Sequence, residues 1–340
     1  MLAGASFFRR ALVREVAVGT GMVASTLLFF GAVPAVFATE PEAPASALAP
    51  ANQSVPVANS SVLLQYKFQS GQFFHYEVAD RVRYVTKQAG NAFVTLQRND
   101  SAKHFRVVTI EEDGSALLEP IIDRIRMSAK MHEKPAVEFD SAKDTIAPPE
   151  FQRHKETVGK PMARFLFTTS GELKSVRLLA DDVPPSVVAA AAKADPKMSF
   201  LIPLPTERIV VGHRWKQKYN ESISVGQGLN QPVPMLRQFE LIAITDGIAT
   251  IKFKTSILAL LNEPKSQGQL AQQTPSGMVE FDIERGLIRS RKAVTNETVL
   301  NAFGQKTLLQ VVGESTENLI PHEPMIQQVG FTGEKVSAGK

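Results

Sequence analysis

The chain has 340 residues, of which 44% are hydrophobic and 21% charged, with a formal net charge of +4. That length allows one large domain or two modest ones, and so slight an excess of base gives no indication of a dedicated nucleic-acid patch. The absence of cysteine excludes disulfides, thiolate metal sites, a cysteine nucleophile and lipid attachment at an N-terminal cysteine.

Arg9, Arg10 and Arg14 precede an uncharged stretch at 16–37, and Val36-Phe37-Ala38 places small or medium residues where a signal peptidase reads. This predicts an export signal over residues 1–38, cleaved after Ala38, and a location in the periplasm, the cell envelope or outside the cell. The stretch is long enough to span a bilayer, but Gly31 and Pro34 interrupt it, so no stable membrane span is expected after cleavage. Residues 39–60 are rich in Pro, Ala and Ser. Such a segment cannot bury enough apolar surface to offset its ordering entropy and reads as a disordered linker.

A first β unit is expected over 61–181. Residues 62–68 read as its opening strand, followed by a Ser70-Gly71 turn. Over 72–85, Phe74, Tyr76, Val78, Val82 and Tyr84 alternate with His75, Glu77, Arg81 and Arg83, the period of a half-buried strand. Asp80 is the one polar residue on the apolar side, which points to a bulge, a strand end or a ligand contact. Strands at 105–110 and 116–127 pair through Asp113-Gly114, and Pro120 marks an edge or a bulge. Residues 131–160 form a polar excursion around Pro148-Pro149. A hairpin at 162–178, with Ser170-Gly171 at its turn, closes the unit.

Residues 182–205 form a connector, with a helix expected at 186–194 because of its alanine run and the preceding acidic residues and prolines. The pattern then restarts in a second unit at 206–316. Trp215 corresponds to Phe74, 239–245 to 105–111, and Asp246-Gly247 to Asp113-Gly114. A strand follows at 249–261, and the hairpin at 278–294, turning at Arg285-Gly286, has the layout of the one at 162–178. A strand at 307–314 closes the unit, and 317–340 reads as a flexible tail. The fold class expected is all-β, mainly antiparallel: two related curved sheets or half-barrels with one short connecting helix.

Chemistry is sparse. The six histidines are scattered and match no metal-ligand spacing, so no metal and no cofactor is expected. Nucleophile elbows, P-loops and dinucleotide fingerprints are absent, and adjacent carboxylates such as Glu111-Glu112 point to opposite faces of a strand. No catalytic residue is assigned. Arg289, Arg291 and Lys292, read as exposed on a strand face, could meet a polyanion or a headgroup, and a solvated outer face explains them equally well. The aromatic inner face, carried by Phe74, Tyr76, Tyr84, Trp215, Phe253 and Phe281, is the candidate ligand-binding surface. The alternative, and the safer reading, is that the same side chains simply form a packed core.

Three segments carry a family resemblance: Y-K-F-x-x-G-Q-x-x-x-Y-E at 66–77, G-x-x-W at 212–215 and M-V-E-F-D-x-x-x-G-x-I-x-S at 278–290. Together they resemble a family of exported bacterial proteins of unknown function, common in planctomycetes. The resemblance implies an envelope location and a duplicated β-rich body and supplies no catalytic residues. A more distant analogy is to the half-barrels of periplasmic lipoprotein carriers. The expected function is that of an exported, non-enzymatic envelope protein binding an apolar ligand or a protein partner on a concave sheet face. The expected partner is an apolar small molecule, a lipid or an envelope protein, and no nucleic acid. The alternatives are a structural or interaction module with fully packed cores and, third, a hydrolytic enzyme.

Overall fold

The computed structural model describes residues 61–179, 200–226, 229–261 and 263–321. The expected export signal, the linker, the helix at 186–194 and most of the tail lie outside these residues. The strands are β1 (Phe73–Gln88), β2 (Asn91–Ile110), β3 (Ala116–Met131), β4 (Val137–Asp140), β5 (Ala163–Phe167), β6 (Leu173–Leu178), β7 (Arg214–Gly226), β8 (Leu229–Thr245), β9 (Ile248–Ile257), β10 (Ser276–Asp282), β11 (Leu287–Leu300) and β12 (Thr307–Leu319). Among the described residues two short helices accompany them, α1 (Gln152–Thr157) after a 3-10 turn and α2 (Pro264–Leu270). Among the described residues no helix is long and apolar enough to cross a membrane.

The all-β expectation holds, and the strands of both expected units join in one antiparallel sheet. Its order is β6-β5-β3-β2-β1-β12-β11-β10-β9-β8-β7, with β4 added on β3. The seam between the units is the β1–β12 pairing, which runs from Tyr76 opposite Leu319 to Gln88 opposite Thr307. β12 therefore extends past the expected end of the second unit. Glu317, placed by the sequence at the start of a flexible tail, is a buried strand residue.

β1 runs three residues past the strand expected at 72–85, and β2 is far longer than the one expected at 105–110. They pair from Phe73 opposite Arg106 to Gln88 opposite Asn91 around a turn at Ala89-Gly90, where both residues have positive φ, 49° and 82°, as a two-residue hairpin turn requires. The segment 86–104 mixes polar residues with Phe93, Val94 and Leu96 on both faces and so lacks the alternation by which a half-buried strand announces itself. Asp80 sits at neither a bulge nor a strand end: it pairs in unbroken register with Asn99 and Ser315. Pro120 lies in a gap on the β3 edge, because β5 pairs with β3 only at 116–118 and β4 only at 126–129.

One face of the sheet, the inner face, carries the core. Residues 62–68, expected as a strand, instead form an extended strap whose one bridge joins Val62 to Ile209. With residues 200–209 it covers the inner face of β8, β9 and β10: Leu64, Tyr66, Ile202, Leu204 and Ile209 pack on Phe239, Ile251, Phe253, Val279 and Phe281. Phe200 packs on Phe74, Phe105, Phe165 and Phe167 in the neighbouring cluster. The two hairpins with the same sequence layout both receive this strap region. A Cβ on Gly171 (φ +80°) would lie 2.4 Å from the Ile202 carbonyl oxygen, and one on Gly286 (φ +64°) would lie 2.5 Å from the Lys67 nitrogen. Each position therefore needs glycine for its backbone conformation and for the close approach.

Candidate functional site

The inner face is not apolar throughout. Across β2, β1, β12 and β11 runs a belt of buried polar side chains that register places side by side. Lys103 stands opposite Tyr76, Val78 opposite Glu317, Glu317 opposite Arg291, and Asp80 opposite both Asn99 and Ser315. Lys103 Nζ lies 2.7 Å from Glu317 Oε1, and Arg291 donates to Glu317 Oε2. All three side chains are about as buried as the apolar core, with 6% of each exposed. Ser315 Oγ donates to Asp80 Oδ1 at 2.7 Å, and Asn99 Nδ2 donates to Asp80 Oδ2 at 3.1 Å.

Arg291 corrects the reading of 289–292 as a uniformly solvated face. A bulge between Glu280 and Phe281 leaves Arg289 as the extra residue. The alternation of β11 therefore reverses, and Arg291 turns inward with Ala293 and Thr295. Arg289 and Lys292 remain exposed.

Burial governs the electrostatics of the belt. Desolvation pushes the Asp80 carboxyl up to about 7, against the opposing hydrogen bonds from Ser315 and Asn99 and the nearby Lys103 charge. Burial lowers Lys103, partly offset by Glu317. For Glu317 burial alone would favour the neutral acid, but Arg291 and Lys103 outweigh it and hold the carboxyl below its usual range. Desolvation raises Tyr76, whose hydroxyl donates to the Ile288 carbonyl at 3.0 Å. The belt is thus a compensated charge cluster that includes one carboxyl able to change protonation near neutrality.

The six aromatic residues expected on a ligand face fall into three clusters. Phe253 and Phe281 are fully buried beneath the strap, and Trp215 packs against the same cluster with its Nε1 donating to the Pro203 carbonyl at 2.7 Å. Phe74 and Tyr76 belong to the cluster around Phe200. Tyr84 packs on the third cluster, formed by Val82, Ala271, Val299, Ala302, Leu309 and Val311. Tyr84 alone borders an uncovered strip of the inner face. That strip follows β2 through Phe93, Thr95 and Gln97, flanked on the β3 side by Met127, Ala129 and Met131, and ends at Asn99 and Asp80. Thr95 and Gln97 are half-buried, whereas Phe93 and Met131 are 39% and 40% exposed. Asn99 Oδ1 is buried without a hydrogen-bond partner.

On the outer face of the same strands the sheet gathers residues that the sequence left scattered. His75 and His104 are directly opposite in register, with ring centroids 5.2 Å apart. Asp123 is the extra residue of a bulge in β3, and its Oδ1 lies 2.7 Å from His104 Nδ1. The signal that could have paired the histidines was the Ala89-Gly90 turn, from which both are equally distant. Asp123 could not be placed without knowing the bulge.

No protein-family model matches the chain, so the family resemblance rests on its three motifs alone. The curated proteins likewise contain no match. Among solved structures, lipovitellin, described for its lipid–protein interactions, superposes with a TM-score of 0.43 at 10% identity over 75% of this chain and 26% of that one. The chain thus spans about a quarter of lipovitellin's length. DynF, from the dynemicin biosynthesis pathway of Micromonospora chersina, gives a TM-score of 0.20 at 5% identity over 80% of this chain and 92% of that one. A domain from Vibrio parahaemolyticus named for outer membrane lipoprotein sorting gives 0.13 at 13% identity over 74% and 86%. Scores of this size do not establish a shared fold.

Proposed function

We propose that the chain is an exported, non-enzymatic envelope protein that holds one lipid-class molecule against the inner face of β2. The apolar chain of the ligand lies along Phe93, Thr95 and Gln97, between Tyr84 and Met131, and its polar end meets Asn99 and Asp80. The observation that carries this reading is the uncovered strip itself, flanked by apolar clusters on both sides and ending at polar groups. A buried acceptor without a partner, Asn99 Oδ1, suits a ligand hydroxyl or acid, since leaving it unmet costs about 1–3 kcal/mol. The non-enzymatic part rests on the belt, where Lys103, Arg291 and Glu317 are committed to one another.

Titration of the folded protein with cis-parinaric acid tests this. Saturable fluorescence enhancement is expected, abolished by Gln97→Trp, which fills the strip, and weakened by Phe93→Asp. No saturable uptake, or uptake unchanged in Gln97→Trp, overturns the reading. The second reading, a structural or interaction module, is favoured by one observation: Phe253 and Phe281, expected on the ligand face, are packed to 1% and 0% exposure. Absence of binding by a well-folded protein would favour it.

A further inference from the structure

We propose that His75, His104 and Asp123 form a binding site for one divalent transition-metal cation, with Zn²⁺ the cation that the ligand set suits best. Two imidazoles and a carboxylate are a recurrent Zn²⁺ donor set, and three protein ligands leave a further position for water or an exogenous ligand. One ligand atom from each of the three side chains lies within 4.8 Å of the others. Coordination at about 2.0–2.2 Å from each donor needs donors about 3–3.5 Å apart. Closing the triad therefore calls for side-chain rotation, not strand movement.

The backbone has already set these directions. β1 and β2 hold the two histidines opposite each other in an unbroken register, and the β3 bulge turns Asp123 toward them. The His104–Asp123 contact at 2.7 Å orients that imidazole. Phe73, with its ring centroid 5.6 Å from that of His104 and 6.4 Å from that of His75, forms an apolar wall beside the pair. The arginines on the neighbouring register positions have carboxylates of their own: Arg106 faces Glu119 at 3.9 Å, and Arg124 pairs with Asp140 at 2.7 Å. The half-buried imidazoles are accessible from the more exposed Asp123 side. This site lies on the face opposite the β2 strip, so it stands or falls independently of lipid binding.

Isothermal titration of the metal-stripped full chain with ZnCl₂ is the test, with thermal unfolding as a second readout. One Zn²⁺ per chain, a raised melting temperature and at least about a tenfold loss of affinity in His75→Ala/His104→Ala and in Asp123→Asn are expected, because a ligand specific to the native state stabilises it. A control variant, His132→Ala/His213→Ala, should bind as the parent does. Co²⁺ substitution should give visible absorption that the double variant lacks. Zn²⁺ uptake far below one per chain, or uptake unchanged in a folded His75→Ala/His104→Ala or Asp123→Asn protein, overturns the proposal. Asp123→Asn changes one half-exposed side chain and decides the matter if the double variant fails to fold.

Discussion

The two faces of the sheet around β1 and β2 gather polar and charged side chains at adjacent register positions, yet they treat them in opposite ways. Inside, Lys103, Glu317 and Arg291 are 6% exposed and locked in ion pairs. A buried charge that lost its partner would cost several kcal/mol, so these groups have no freedom to change partners. Outside, the His104 and Asp123 side chains are 15% and 38% exposed and share a single contact at 2.7 Å, the kind of partly exposed pair whose loss costs little. The same alternation that places His75 and Tyr76 on opposite faces therefore separates a buried ion-pair cluster from a more exposed group of histidines and a carboxylate.

The largest test of this contrast is Glu317→Ala. It removes the carboxylate shared by Lys103 and Arg291 and should cost about 3–5 kcal/mol in urea unfolding. Replacing Lys103, Arg291 and Glu317 together by apolar residues of similar volume should recover most of that loss. If Glu317→Ala proves as mild as a surface substitution, the belt is wetter than its burial implies.

Asp80 sharpens the inner side further. With its folded value raised to about 7, the native state binds more protons than the unfolded chain between roughly pH 4 and 7. The contribution of Asp80 to stability is therefore highest at low pH, falls as pH rises through that window, and is flat above it. Asp80→Asn should remove a penalty of roughly 2–4 kcal/mol at pH 8, and the stability gap between variant and parent should be wider at pH 8 than at pH 5. Urea midpoints at the two pH values check the sign, and a gap that narrows toward pH 8 contradicts it.

Gly286→Ala probes how tightly the strap closes the inner face. Its new Cβ would meet the Lys67 nitrogen at 2.5 Å, at a positive φ, so a loss above about 1 kcal/mol is expected. Faster amide exchange at Tyr66 and Lys67 should accompany that loss. On the outer face, Asp123→Asn without metal should change stability by less than about 1 kcal/mol. An effect as large as that of Glu317→Ala would erase the distinction between the faces.

Much of the architecture was legible in local pattern. Phe74 to Tyr84 alternate as a half-buried strand does, and Asp113-Gly114, Ser170-Gly171, Asp246-Gly247 and Arg285-Gly286 all stand at turns between paired strands. These features follow from side-chain period and turn chemistry, which act over a few residues. The paired ends of β1 and β2 were hidden because a strand that mixes polar and apolar residues on both faces has no hydrophobic period to read.

The candidate sites were beyond local reach for a related reason. Arg291 looks solvated until the bulge at Arg289 reverses its face, Glu317 looks like a tail residue until β12 pairs with β1, and Asp123 meets His104 only through the bulge in β3. By itself the sequence determined that the chain is an antiparallel β protein and where several of its hairpins turn. The tertiary structure decided that its strands close into one sheet, and which charged groups that sheet buries together or gathers outside. Pairing partners hundreds of residues apart, and single-residue bulges that flip every following side chain, are set by the packing of the whole sheet, not by any one strand.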